Sequence, residues 1–220
     1  MEDGISIGNG ILWVLIWLGF MLMYTFLDVA VYRKFIPAGE KVLNVMTIAL
    51  SIAVFLKLLE RKHRFQVDLF RNVSFPGIWL AAGCAILLYV LLDKGLDPVF
   101  ERVFQASEES YQESLQTLSK APVMSLIQVC ILAPVIEEIL MRGYLLNGLS
   151  MSYGNIIALL VSSLLFALLH FNMVQTLSAL ICGIALGLLY LQTGSIFCCI
   201  LAHAGYNLIS YLTAVLPLLR

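Results

Sequence analysis

The sequence predicts an all-α, multi-pass transmembrane helical bundle of about seven spans, within a range of six to eight. Three observations predict it. Of the 220 residues, 61% are hydrophobic and only 12% charged, and the mean hydropathy of +0.95 lies far outside the balance of a water-soluble domain. Apolar runs recur over 11–31, 42–59, 76–92, 121–146, 156–170, 174–191 and 195–219, most of them near the roughly 20 residues a helix needs to cross hydrocarbon. No polar stretch between them is long enough for another domain, so 1–220 reads as a single membrane domain.

The first run follows MEDGISIGNG, which is acidic where a signal peptide is basic, and it continues without an evident cleavage site. It is expected to be a retained first helix. The five cysteines, Cys84, Cys130, Cys182, Cys198 and Cys199, lie within apolar runs and form no CxxC pair, which suits buried thiols better than a disulfide framework.

The basic cluster Arg61, Lys62 and Arg64 is expected on the inside, and the acidic stretch carrying Glu101, Glu108, Glu109 and Glu113 on the outside. The amino terminus then also lies inside. Within the acidic stretch, Phe100, Phe104, Tyr111, Leu115 and Leu118 recur at three, four or seven residues, the stripe of a connecting helix that lies at the interface or against the bundle. A substrate-capturing lid is the alternative.

The fourth run contains APVIEEILMRGYLLN. Ionisable side chains are costly at membrane depth, where they face a protein interior and are paired or used. Glu138 and Arg142 are four apart and share a face, so they are expected to pair. Glu137 points elsewhere and is free for chemistry. Pro134, three residues before the glutamates, can bend the helix and free a carbonyl for another partner. Two later runs each supply a histidine: FALLHFN places Phe166 and His170 four apart, and LAHAGYN places His203 and Asn207 four apart, with Gly205 allowing close approach.

A lone buried His or Asn is commonly an interhelical hydrogen-bond former. Two acids, an arginine, two histidines and an asparagine on several spans favour hydrolysis, with ion passage as the rival. In the favoured reading Glu137 takes a proton from water, His170 helps hold that water, and His203 with Asn207 face the oxyanion. No cofactor is then needed. Zinc remains the alternative, with His170, His203 and Glu137 or Glu138 as a two-His-one-Glu ligand set, although no HExxH helix is present. Serine chemistry through Ser162 or Ser163 lacks a GxSxG elbow. A membrane protein that binds a peptide as an immunity or scaffold factor without hydrolysis is the non-enzymatic alternative. The expected partners are a membrane-associated protein or peptide substrate and the lipid bilayer, with no nucleic acid.

The diglutamate with arginine at Glu137, Glu138 and Arg142, the Phe-x-x-x-His at Phe166 and His170, and the His-x-x-x-Asn at His203 and Asn207 occur in one order. In this the chain resembles the CPBP family of intramembrane proteases, bacterial and archaeal relatives of the eukaryotic type II CAAX prenyl endopeptidase. The resemblance covers about 122–212, and 121–212 is expected to hold the catalytic helices. It implies a glutamate-type peptidase in which Glu137 activates water, His170 assists and His203 with Asn207 stabilise the oxyanion; Glu138, Arg142 and Phe166 support them. It also implies a prokaryotic plasma membrane location with the active site toward the cytoplasm. The substrate carries over less well, since eukaryotic members trim prenylated proteins and many bacterial members are linked to bacteriocin immunity, peptide signalling or surface-protein maturation.

Overall fold

The computed structural model describes residues 4–63 and 66–219; Arg64 of the basic cluster lies outside them. The described chain is helical throughout, without a strand. Among the described residues six helices are long and apolar enough to cross a membrane: α1 (Ile7–Phe35), α2 (Glu40–Lys62), α3 (Phe75–Val103), α5 (Pro122–Tyr153), α7 (Met173–Thr193) and α8 (Ile196–Leu218). Between α3 and α5 lies the amphipathic α4 (Gln105–Ser119). The helix α6 (Asn155–Leu168) is apolar but has 14 residues, about 21 Å of rise. The seventh expected span is thus a short helix that ends at Leu168, where the chain turns to present His170.

Local chemistry sets these boundaries. Ser74 caps α3 by accepting from the Gly77 amide, with proline in the first turn. Gly194 ends α7 in the left-handed region at φ 64°, and Ser195 at once caps α8, which makes a tight turn. Asn172 caps α7 through Oδ1 while its amide donates to the Ser107 carbonyl at 2.6 Å. That one side chain ties α4 to the turn after His170.

These contacts also sort the two ends of the bundle. The amide of Ile5 donates to the Gly148 carbonyl, and Asn72 donates to the Gly194 carbonyl. So the amino terminus, the 66–74 segment and the turns at Gly154 and Gly194 share one end. The opposite end holds the 36–39 turn, α4 and the 169–172 turn.

Lipid tails are as apolar as leucine, so helices in a bilayer associate through close packing and hydrogen bonds. A Cβ on Gly183 would lie 3.1 Å from Cα and Cβ of Ser163 and 3.3 Å from the Phe166 ring, so α6 and α7 approach closely there. A Cβ on Gly205 would lie 3.2 Å from the Ala85 Cβ, which bears out the expected close approach of α8 to a neighbour. On the other flank Trp13 and Trp17 of α1 pack edge-on or tilted against Phe55 of α2, and Trp13 against Tyr144 of α5. This aromatic wedge holds α5 from one side while α6 to α8 hold it from the other. Cys130, Cys182, Cys198 and Cys199 are buried and all five cysteines are free thiols, as their apolar surroundings led us to expect.

Candidate active site

Helix α5 carries the two glutamates between widened π turns at Gln128–Leu132 and Ile139–Leu146. Insertions of this kind re-aim side chains and recur at functional sites. Their cause is legible at Pro134. Within the first widened turn the Ala133 amide bonds to the Gln128 carbonyl, and in the same register the Val129 carbonyl would accept from residue 134, which as proline has no N–H. The Asn207 amide takes that carbonyl at 2.9 Å. The freed acceptor expected from Pro134 therefore exists, and its partner is the asparagine of α8.

Glu138 and Arg142 pair as expected. Nη1 to Oε1 is 2.9 Å, with the side chains 0% and 1% exposed. Arg142 also donates to the Gly183 carbonyl at 3.0 Å and lies 5.1 Å from the centroid of Phe166. Glu138 also stands behind His203, whose Nδ1 lies 2.8 Å from Glu138 Oε1. A carboxylate paired with arginine only accepts, so Nδ1 carries the proton and donates. Helices α5 and α8 bring together residues 65 positions apart in sequence, a proximity that motif spacing does not encode.

His170, in the turn just after α6, stands 3.1 Å from the Phe166 carbonyl through Nδ1. A carbonyl cannot donate, so Nδ1 again bears the hydrogen. Phe166 sits between both imidazoles, edge-on to His170 at 5.1 Å and to His203 at 5.7 Å. With each Nδ1 committed, each Nε2 is left for the cavity. His203 Nε2 faces Glu137 Oε2 at 3.8 Å, where the Glu137 side chain is 17% exposed. This distance is too long for a direct hydrogen bond. A water set to one side of the line, donating to both, can bridge it.

Glu137, Phe166, His170, His203 and Asn207 line one cavity of about 640 Å³. One wall is apolar, with Trp17, Ile48, Ile52 and Ile136. The other is acidic, with Asp93, Asp97 and Glu101 of α3. Sequence reasoning missed this second wall because the apolar run was taken to end near 92. Helix α3 instead continues through Asp93 and Asp97 to Val103 by a π turn at Leu92–Leu96, and the signal was a pair of aspartates four apart at its end. Helix α4 covers the mouth with Tyr111, Gln112, Leu115 and Leu118. The expected stripe is split, since Phe100 lies on α3 and Phe104 precedes α4; on α4 itself Leu115 packs with Tyr211 and Val215 of α8. Burial, and then the carboxylates of Asp93 and Asp97, push the Tyr111 phenol up to about 12, so it stays a neutral donor at the rim.

The cavity thus opens at the α4 end. An acidic stretch outside and a site facing the cytoplasm are therefore incompatible expectations. Of the serines considered, Ser162 donates to the Leu159 carbonyl, and no hydrogen bond joins Ser162 or Ser163 to His170 among the described residues. Nor does any group of three or more His, Cys, Asp or Glu among them gather closely enough to hold a metal ion. The zinc set of His170, His203 and Glu137 is not drawn together in this arrangement, although the Nδ1–H of His203 on Glu138 leaves Nε2 free, as in a metal-bound imidazole.

Comparison with known proteins agrees with the motifs. The chain is 25% identical over 136 residues to a Bacillus subtilis (strain 168) protein named "Putative membrane peptidase YdiL", an alignment spanning 62% of this chain and 55% of that one. The chain therefore spans about half the length of the curated relative it matches. No solved structure matches it. Residues 119–209 match the family model described as type II CAAX prenyl endopeptidase Rce1-like, and this segment carries Glu137, Glu138, Arg142, Phe166, His170, His203 and Asn207. Over that segment the chain, an integral membrane bundle with Glu137, Phe166, His170, His203 and Asn207 around one cavity, is thus similar to the Rce1-like CAAX protease family.

Proposed function

We propose that the chain is an intramembrane endopeptidase that hydrolyses a peptide bond with water activated by Glu137. One observation carries the reading. Of two adjacent buried acids, Glu138 is committed to Arg142 and His203, while Glu137 is left facing the cavity opposite His203 Nε2 at 3.8 Å.

In this mechanism Glu137 takes the proton of a water that His170 Nε2 helps to orient, and the water attacks the scissile carbonyl. The oxyanion is met by the second N–H of the Asn207 amide, the first being held by Val129. His203 Nε2 can donate to it only when the ring is doubly protonated, because Nδ1–H belongs to Glu138. Glu137 then passes its proton to the leaving amine. The catalytic residues are Glu137, His170, His203 and Asn207, and Glu138, Arg142 and Phe166 position them. Residues 121–212 carry this machinery, the first three spanning helices contribute walls, and no cofactor enters any step.

The partners are a membrane-associated protein or peptide and the bilayer. We place the chain in a prokaryotic plasma membrane with the cavity mouth toward the cytoplasm. Arg33, Lys34, Lys41, Lys94, Arg102 and Lys120 lie at the mouth end and Lys57, Arg61, Lys62 and Arg71 at the other; orientation follows lysines and arginines and hardly responds to acids. The amino terminus is then outside, the reverse of the orientation read from the basic cluster. A Glu109→Cys variant in intact cells should resist a membrane-impermeant thiol reagent and react after permeabilisation.

The deciding experiment is Glu137→Gln. Expected is a folded protein that cleaves none of the membrane peptides cut by the parent. If the parent also cleaves nothing while the variant keeps the full cellular phenotype, the non-hydrolytic binding reading replaces this one.

A further inference from the structure

Asp93 and Asp97 are not used by the chemistry proposed above, yet they sit on a membrane-spanning helix where such groups are costly. Ser210 of α8 donates to Asp93 Oδ2, and Ser178 of α7 donates to Asp97 Oδ1. Two neighbouring helices thus aim hydroxyls at these carboxylates and hold them on the cavity wall beside Glu101. Asp93 Oδ1, the second oxygen, is buried and has no hydrogen-bond partner. No lysine or arginine among the described residues pairs with Asp93, Asp97 or Glu101. The one basic residue on the wall, Lys94, turns its ammonium over the Tyr89 ring at 5.1 Å. Tyr206 also reaches the Asp93 carboxylate and Lys94 interacts with it only electrostatically, so among the described residues no ion pair occupies this wall.

The acids lie in register with the chemistry. His203, Asn207 and Ser210 follow one face of α8, and the seven residues from His203 to Ser210 rise about 10 Å. An extended peptide advances about 3.3 Å per residue. A chain whose scissile carbonyl lies at His203 therefore passes Asp93 roughly three residues away, and the Trp17, Ile48 and Ile52 wall faces its apolar flank.

We infer that the acidic wall of the cavity receives a lysine or arginine side chain of the substrate peptide, about three residues from the bond that is cut. The inference rests on the peptidase reading for the position of that bond but not for the cation site itself. The ammonium or guanidinium is attracted by two carboxylates in a partly dehydrated site, where the attraction exceeds its value in water. It also supplies the donor that Asp93 Oδ1 lacks.

The test uses the full chain carrying Glu137→Gln in phosphatidylcholine nanodiscs, which present no primary amine. Fluorescent apolar peptides of one sequence carry lysine, norleucine or glutamate at a single scanned position. Binding should favour lysine over norleucine by about tenfold, a factor that one well-placed charge readily supplies, and should disfavour glutamate. In Asp93→Asn and Asp97→Asn the lysine-to-norleucine ratio should fall toward one, since asparagine still accepts from serine but carries no charge. Thermal unfolding of each variant, measured alongside, identifies any that fail to fold. The peptide scan on unaltered acids stands without them. Equal binding of lysine and norleucine peptides at every position overturns the inference, as does a preference that survives in both folded variants. Lysine-dependent binding with no cleavage by the parent supports the cation site and sinks the peptidase reading. Cleavage with no lysine preference does the reverse.

Discussion

Replacing Arg142 with alanine isolates the contact on which the rest of the site depends. The guanidinium is 1% exposed, pairs with a carboxylate that is 0% exposed, donates to the Gly183 carbonyl and lies over Phe166. Its loss leaves Glu138 buried with only His203 Nδ1–H as a donor. Removing one partner of a buried ion pair costs about 3–5 kcal/mol, mostly as the penalty of the charge left behind. The interhelical hydrogen bond to Gly183 adds little, because such bonds average about 0.6 kcal/mol in a bilayer, where the unfolded helices also find partners. The charge therefore decides the size of the effect. Reversible unfolding in mixed micelles should show Arg142→Ala destabilised by about 3–5 kcal/mol. The double variant Glu138→Gln with Arg142→Ala should recover more than half of that, since glutamine still accepts from His203 but carries no charge. The reasoning fails if the single variant lies within about 1 kcal/mol of the parent, the range of an exposed pair, or if the double variant is no better than the single one.

Three further outcomes follow from the same geometry. Pro134→Ala gives the helix a new N–H for the Val129 carbonyl, so Asn207→Ala should cost about 0.6–1.7 kcal/mol in the parent and close to nothing in Pro134→Ala; additive effects in that double-mutant cycle would break the proposed link. Gly183→Ala forces a Cβ to 3.1 Å from Ser163 and should destabilise by about 1–3 kcal/mol while lowering cleavage, because Phe166 and with it both imidazoles must shift; unchanged rate and stability would show the packing to be loose. Cleavage by the parent should persist after chelation and dialysis. A stoichiometric zinc content that tracks activity, lost with His170→Ala or His203→Ala, would make those histidines ligands.

Much of the architecture was legible because burial in lipid imposes a simple rule: spans must be long, apolar and helical. That rule located the helices but not their ends. The run assigned to 76–92 continues to Val103, because a π turn carries the helix past Leu92 and packing against Ser178 and Ser210 accommodates the aspartates that composition assigned to a loop. The error hid one wall of the cavity. In the opposite direction, the 156–170 run was counted as a span although α6 ends at Leu168 after 14 residues. Hydropathy does not reveal the shortness of α6, because its outer face, with Ile156, Leu160, Leu164 and Leu168, is exposed like that of a spanning helix.

The individual side chains of the site were legible because each is too polar for its surroundings, and the i, i+4 pairing of Glu138 with Arg142 follows from helix geometry alone. The links between helices were not. Two of those at the site join α5 to α8, His203 Nδ1 to Glu138 and Asn207 to Val129, beside a third from Tyr211 to the Pro122 carbonyl. The second could have been anticipated in part, since a proline at position 134 must leave an acceptor without its amide, and a buried acceptor requires a donor. What the sequence does not state is which donor arrives. Because the same α8 face supplies both links, a displacement of α8 would take His203 from Glu138 and Asn207 from Val129 together. Any variant that shifts α8 should therefore disturb both groups that meet the oxyanion, and leave Glu137, held by α5 itself, where it is. Gly205, whose Cβ position lies 3.2 Å from Ala85, is the place to apply that shift: Gly205→Val should lower the rate of bond cleavage while an inert peptide still binds, and equal loss of both would show that α8 shapes the cavity rather than the chemistry.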